Sequence, residues 1–208
     1  MSKTGIILTD YGNTQSVFNA LDFCGLNPVY LAHPEKMDEV SRVVLPGVGH
    51  AGLVLKEIQA RGFDEKLSRC VFEGSLPFLG ICVGMQILFS FLREGNLPGL
   101  RWFDGEVSQF SEVNKDSSPI NMGWSAVENC NHVDELIMKN IPLRRKHFYF
   151  CHKYAVFQTQ EKINLIWSKN EQKFLAGLFR DNILATQFHP EKSGRSGLDL
   201  LRNFGNLD

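Results

Sequence analysis

A chain of 208 residues is long enough to bury its own core without disulfides or a structural metal. Its 22 basic and 23 acidic side chains balance and form no block of one sign, which excludes the footprint of a nucleic-acid or anionic-membrane binder and leaves a small molecule or a protein as partner. The apolar run at residues 5–8 is too short for a signal peptide or a membrane span, so a cytosolic protein is expected, and five cysteines without a C-x-x-C pair predict free thiols rather than a disulfide framework or a zinc site.

In chain order, Gly5-Ile6-Ile7-Leu8 predicts a strand, Tyr11-Gly12-Asn13 a turn, and residues 14–24 a helix. Val29-Tyr30-Leu31 and Val43-Val44-Leu45 predict the next strands. Short apolar strands separated by helices are the pattern of parallel strands buried on both faces, the α/β arrangement. Two apolar runs pass directly into glycine loops. Leu45 enters Pro46-Gly47-Val48-Gly49, and Leu76-Pro77-Phe78-Leu79 enters Gly80-Ile81-Cys82-Val83-Gly84, after which residues 85–91 predict a helix. From residue 102 the pattern becomes hairpin-like, with strands at 102–110, 124–127, 147–156, 165–168 and 175–188, the last folded at an Asp181-Asn182 turn. Residues 111–119, rich in Ser, Asp and Asn, predict a surface loop, and residues 197–204 a closing helix with Leu198, Leu201 and Phe204 on one side. No repeat, low-complexity tract or linker divides the chain, so one domain over residues 1–208 is expected.

The chemistry concentrates at two strand ends. In Gly80-Ile81-Cys82-Val83-Gly84 a cysteine sits between glycines at a strand-turn-helix junction, the context of a nucleophile elbow with Cys in place of Ser. A helix N-terminus there favours the thiolate, and the Val83 N–H points where an oxyanion forms. In Gln187-Phe188-His189-Pro190-Glu191, a histidine ends an apolar strand and a carboxylate follows two residues on; His189 can take the thiol proton while Glu191 holds its other nitrogen. The glycines around Val48 allow a backbone N–H at Val48 or Gly49 to turn in as a second oxyanion donor. A cysteine peptidase or a DJ-type hydrolase shares the elbow. No metal site is expected, since His147 and His152 fall on opposite faces of one strand, and no cofactor is implied.

Read together, Asp10-Tyr11-Gly12-Asn13 with Ser16-Val17, Leu45-Pro46-Gly47-Val48-Gly49, Gly80-Ile81-Cys82-Val83-Gly84-Met85-Gln86, Met122-Gly123-Trp124, Phe148-Tyr149-Phe150 and Phe188-His189-Pro190-Glu191-Lys192-Ser193-Gly194 span nearly the whole chain. They resemble the class I glutamine amidotransferases, and among them the HisH-type glutaminase subunits of imidazole glycerol phosphate synthase. The resemblance implies a three-layer α/β fold with a central, mostly parallel sheet and an added antiparallel β region. It implies glutamine as substrate, a thioester on Cys82, and a heterodimer with a (β/α)8 cyclase that uses the ammonia to make imidazole glycerol phosphate and AICAR in histidine biosynthesis. By position it implies that Gln86 and Glu94 hold the polar ends of glutamine, with backbone at Gly49, Lys153 and Tyr154 completing the pocket. The chain departs from the family pattern around Glu94, where Phe91-Leu92-Arg93 is less acidic, and at Asn121, Ser125 and Lys153, where His, Asn and a small hydroxyl residue are usual and where the partner docks. Such departures suit a paralogue that feeds ammonia to another synthase, for example one amidating a surface-polysaccharide sugar.

Overall fold

Continuous β-branched and apolar runs make the first strands, and the computed structural model, which describes residues 2–114, 116, 118–130, 137–142, 146–168, 170 and 172–207, places them in α/β order. β1 (Thr4–Ile7), α1 (Thr14–Phe23), β2 (Pro28–Leu31), β3 (Arg42–Gly47), α2 (Ala51–Ala60), α3 (Phe63–Phe72) and β4 (Phe78–Cys82) follow one another, with a 3-10 turn at Pro34–Glu39. β1, β3 and β4 are buried along their whole length, as parallel strands covered on both faces must be. α4 (Val83–Gln86) is a single turn, and β5 (Phe89–Leu92), β6 (Leu97–Pro98), β7 (Phe103–Gln109), α5 (Phe110–Val113), β8 (Asn121–Cys130), β9 (His147–His152), β10 (Tyr154–Val156), β11 (Asn164–Ser168), β12 (Leu175–Arg180) and β13 (Ile183–Thr186) complete the strands. A 3-10 turn at Pro190–Lys192 leads into α6 (Gly194–Gly205).

Among the described residues a nine-stranded sheet runs in the order β2-β1-β3-β4-β13-β12-β11-β8-β9, and a smaller sheet in the order β10-β7-β5-β6. In the large sheet the pairs from β2 to β13 are parallel and those from β13 to β9 antiparallel. The antiparallel region is therefore a continuation of the parallel sheet, with β13 belonging to both. Its return strand turns at Asp181, whose positive φ of 54° suits Asp, beside Asn182, whose amide donates to the Val71 and Leu76 carbonyls. α1 packs on α6, α2 on α3 and α4. Under the β9–β13 region Phe148 stacks on Phe188 with ring centroids 4.1 Å apart, and Phe150 meets both Phe174 and Phe188 edge-on.

The helix expected at residues 85–91 is replaced by one turn, α4, and the strand β5. Ile87-Leu88-Phe89 is buried on every side, so it has no polar face to set a helical period, and Phe89 and Leu92 instead pair with Phe103 and Val107 of β7. Similarly, the 111–119 segment begins inside α5, and residues 115 and 117 lie outside the described set. The closing helix starts three residues earlier than expected, at Gly194, with Leu201 and Phe204 buried and Leu198 half-buried against the core.

Strand register builds the site. Gly47 of β3 lies beside Cys82 of β4, and Ile81 lies beside Thr186 of β13. The residues just past three adjacent parallel strands, Val48, Val83 and Gln187 with His189, thus gather at one carboxyl edge, where open α/β sheets place their ligands.

Candidate active site

Cys82 ends β4 with φ 55° and ψ −107°, a conformation that an L-residue adopts only when its surroundings impose it. Those surroundings are backbone. A Cβ at Gly84 would strike the Leu45 carbonyl oxygen, and one at Gly80 would lie 2.7 Å from the Gly84 carbonyl oxygen, so the glycines let the chain fold back against β3 with no room to relax. The thiol is buried. Because α4 is one turn long, its dipole is weak, and the full helix expected behind the thiol is not what supports it.

What supports it lies at the end of β13. His189 Nδ1 is 2.9 Å from Glu191 Oε1, with the two side chains 3% and 1% exposed. That pairing leaves Nε2 for Cys82. Burial alone would lower the His189 pKa, but hydrogen bonding to Cys82 and to Glu191, with the charges of both, prevails and raises it from 6.5 to about 10. The ring is therefore positioned as an imidazolium between Cys82 and Glu191. Its backbone is fixed as well: His189 N–H donates to the Tyr149 carbonyl at 2.9 Å, and Ser193 Oγ donates to the His189 carbonyl while accepting from the Tyr149 N–H.

A cavity of about 590 Å³ opens over the thiol, lined by Cys82, Val83, Gln86, Glu94, Val48, Gly49, Lys153, Tyr154 and His189. Every catalytic, oxyanion or substrate residue expected from the sequence is on this wall except Glu191, which stands behind His189. Glu94 accepts from the Ala51 N–H at 2.6 Å, which fixes it at the N-terminus of α2. Gln86 gives its amide N–H groups to the Tyr154 carbonyl at 2.8 Å and to Gln187 Oε1 at 3.0 Å, so its own oxygen is the atom left for a ligand. Val48 N–H donates to the Tyr11 carbonyl at 2.7 Å, away from any role as an oxyanion donor, while the next residue, Gly49, has φ +80° and open space around it.

A glutamine amidotransferase class-I family model matches residues 7–206. The chain belongs to the class-I glutamine amidotransferases. Among curated members of this amidotransferase family it is 32% identical over 205 residues to the imidazole glycerol phosphate synthase subunit HisH of Leptospira interrogans, covering 98% of this chain and 99% of that one. It is 34% identical to the HisH of Synechocystis, with 98% and 96% covered, and 35% identical to HisH 2 of Nitrobacter winogradskyi, with 98% covered on each side. The fold is similar to that of PurLQS from Thermotoga maritima, at a TM-score of 0.76 and 18% identity over 98% of this chain and 97% of that one.

Two residues of this amidotransferase site escaped sequence reasoning. Gln187, buried beside the thiol, directly precedes Phe188-His189 and was hidden only because its role depends on register. His152 is enclosed by the Phe110, Phe150 and Phe174 rings, with Nδ1 2.8 Å from the Tyr154 carbonyl and Nε2 3.0 Å from Asn121 Nδ2. A carbonyl only accepts, so Nδ1 carries the proton and Nε2 accepts. Asn121 therefore points inward, its oxygen accepting from Asn170 at 2.8 Å, rather than outward to a partner. His147, by contrast, is exposed, on the opposite face of β9.

Burial pushes His152 down from 6.5 to about 3; the Tyr154 carbonyl opposes this and the His189 charge adds to it. Above pH 6.5 the group is neutral whether the chain is folded or not; as the pH falls toward 3 the unfolded chain takes up a proton that the folded one refuses, so stability is lost across that window. Urea unfolding is expected to report a loss of up to about 1.4 kcal/mol per pH unit from this group below its unfolded value. The slope should flatten in His152→Gln, and equal slopes in both proteins would assign the loss elsewhere.

Proposed function

We propose that this chain, as one domain over residues 1–208, hydrolyses glutamine to glutamate and ammonia in the cytoplasm. In a heterodimer it would pass the ammonia to a (β/α)8 cyclase that makes imidazole glycerol phosphate and AICAR in histidine biosynthesis. The observation that carries this reading is that Cys82 and His189 share the wall of the cavity with Glu191 paired behind His189, in a chain that matches HisH subunits from end to end. Cys82 Sγ attacks the carboxamide carbon, and the imidazolium of His189 gives its proton to the departing ammonia. Water then adds to the thioester as His189 takes one of its protons, the C–S bond breaks, and glutamate leaves. Glu191 holds the ring and stabilises its charge without itself taking the proton.

The α-amino group of glutamine suits Glu94, its carboxylate suits backbone N–H groups near Gly49, Lys153 and Tyr154, and Gln86 offers its oxygen. The oxyanion falls to Val83 N–H and, after the peptide turns, to a donor at Val48 or Gly49. The partner suits the cavity mouth, lined by the exposed Ile120 and Met122, beside which Trp124 projects exposed from the same face of β8 as Met122.

The Val48 N–H held by Tyr11 favours a gated enzyme. One oxyanion donor is worth about a hundred- to a thousand-fold in rate, and glutamate release is expected to rise by about that factor when the cognate partner and its acceptor bind. Gly49→Pro, which cannot adopt φ +80°, should blunt the rise while Cys82 stays alkylatable. Full activity in the isolated chain, unchanged by partner and acceptor, would remove the gate. Assay with the histidine-pathway acceptor and its cyclase tests the pathway directly; activation by a different synthase instead would favour the paralogue reading that Lys153 and Ser125 suggest.

A further inference from the structure

The carbonyl of Tyr154 can only accept hydrogen bonds, and this orients two side chains in succession. Gln86 lies 2.8 Å from it and must present nitrogen. The same nitrogen is 3.0 Å from the Gln187 amide, which must therefore present oxygen there. With its oxygen on that side, Gln187 turns its nitrogen to Cys82 Sγ, 3.6 Å away. His152 Nδ1–H occupies the same Tyr154 carbonyl from another direction, so both of its acceptor positions are used. Gln86 is 3% and Gln187 1% exposed; flipping Gln86 would set its oxygen against two others, and flipping Gln187 would set two NH2 groups against each other, in buried space.

We propose that Gln187 is a thiolate-stabilising residue: its amide, locked by Gln86 and the Tyr154 carbonyl, donates an N–H to Cys82 Sγ and holds the charged form of the sulfur ready for attack. This rests on the glutaminase reading above, which gives the sulfur its task. A thiol is a poor acceptor and a thiolate a good one, so a buried donor fixed against sulfur favours the anion. The titratable groups around the sulfur are His189, Glu191 behind it, and His152, on which the His189 charge acts through space, with Glu94, Cys151, Lys153, Tyr154 and Lys192 on the rest of the cavity wall. Gln187 adds a neutral donor that stays in place when the His189 proton moves to ammonia, so the thiolate is supported again as the thioester is hydrolysed. Gln86 acts on the sulfur only through Gln187 and is a positioning residue in this respect.

The test is the rate of Cys82 alkylation by iodoacetamide in the full chain, followed by mass spectrometry of the Cys82 peptide from about pH 5 to about pH 10, with thermal unfolding of each variant alongside. In Gln187→Leu the rate at neutral pH is expected to fall about ten-fold and to regain the wild-type plateau at high pH, a displacement of about one pH unit. Gln187→Glu keeps the shape but sets a carboxylate against the sulfur, so its profile is expected to move at least as far, and it decides the matter if the leucine variant does not fold. Gln86→Leu should give a smaller displacement in the same direction. Profiles of folded Gln187 variants that superimpose on wild type would overturn the proposal, leaving Gln187 as a satisfied core amide. Glutamate release by the wild type is measured separately: its absence with partner and acceptor would sink the glutaminase reading, whereas its presence with unshifted profiles would sink only the role of Gln187.

Discussion

Cys82→Ala and Cys82→Ser are expected to reduce glutamine turnover by about five to six orders of magnitude, with folding and partner binding kept. The size of the effect follows from the covalent step. No other described thiol ends a strand at a left-handed elbow: Cys24, Cys70 and Cys151 are half-buried, in ordinary backbone, and it is Cys82 that acts on the His189 ring and raises its pKa. Serine keeps the shape of the site, but its hydroxyl is far less acidic than a thiol, so His189 cannot hold it as an anion. Retained folding follows from size, because both replacements fit the space of the buried thiol and leave Gly80 and Gly84 to make the turn. Steady-state glutamate release together with a partner-binding isotherm checks both halves.

His189→Ala is expected to fall within about ten-fold of the Cys82 variants, and Glu191→Gln to retain about ten- to a hundred-fold more activity than His189→Ala. Without His189 neither the thiolate nor the proton for ammonia has a source, so the two losses are one loss and do not add. Glu191→Gln is milder for a structural reason. One carboxylate oxygen holds Nδ1 at 2.9 Å, and the second is buried without a hydrogen bond to the described residues. A glutamine can keep its oxygen on Nδ1 and turn its NH2 into the other position, so the ring stays oriented while the negative charge that sustains the imidazolium is gone. The ranking is read from kcat for the three variants under saturating glutamine, and a Glu191→Gln enzyme slower than His189→Ala would reverse the roles of the two residues.

Much of this was legible in the residues. Val43-Val44-Leu45 and Phe78-Leu79 could only be buried parallel strands, and a cysteine bracketed by glycines at such a strand end reads as an elbow from its neighbours alone. His189 and Glu191 were legible for a similar reason, since Pro190 between them fixes a local geometry that short-range sequence encodes. What was not legible depends on distant parts of the chain. The apolar run at 87–92 carries no period that separates helix from strand, and its choice is made by β7. Gln187 looks like a strand residue until β4 and β13 are in register, and Asn121 looks like a surface residue until His152 is found beneath it. The Val48 peptide is a single rotation, set by the Tyr11 carbonyl, that no residue type announces.

The central claim, that Cys82 is the nucleophile of a glutaminase, meets its most direct test in labelling with a glutamine-analogue electrophile in the presence of partner and acceptor, followed by peptide mapping. Cys151 lines the same cavity and is the built-in control. The account predicts one adduct, on Cys82, formed in competition with glutamine and lost in His189→Ala; an adduct on Cys151 with Cys82 unmodified would contradict it.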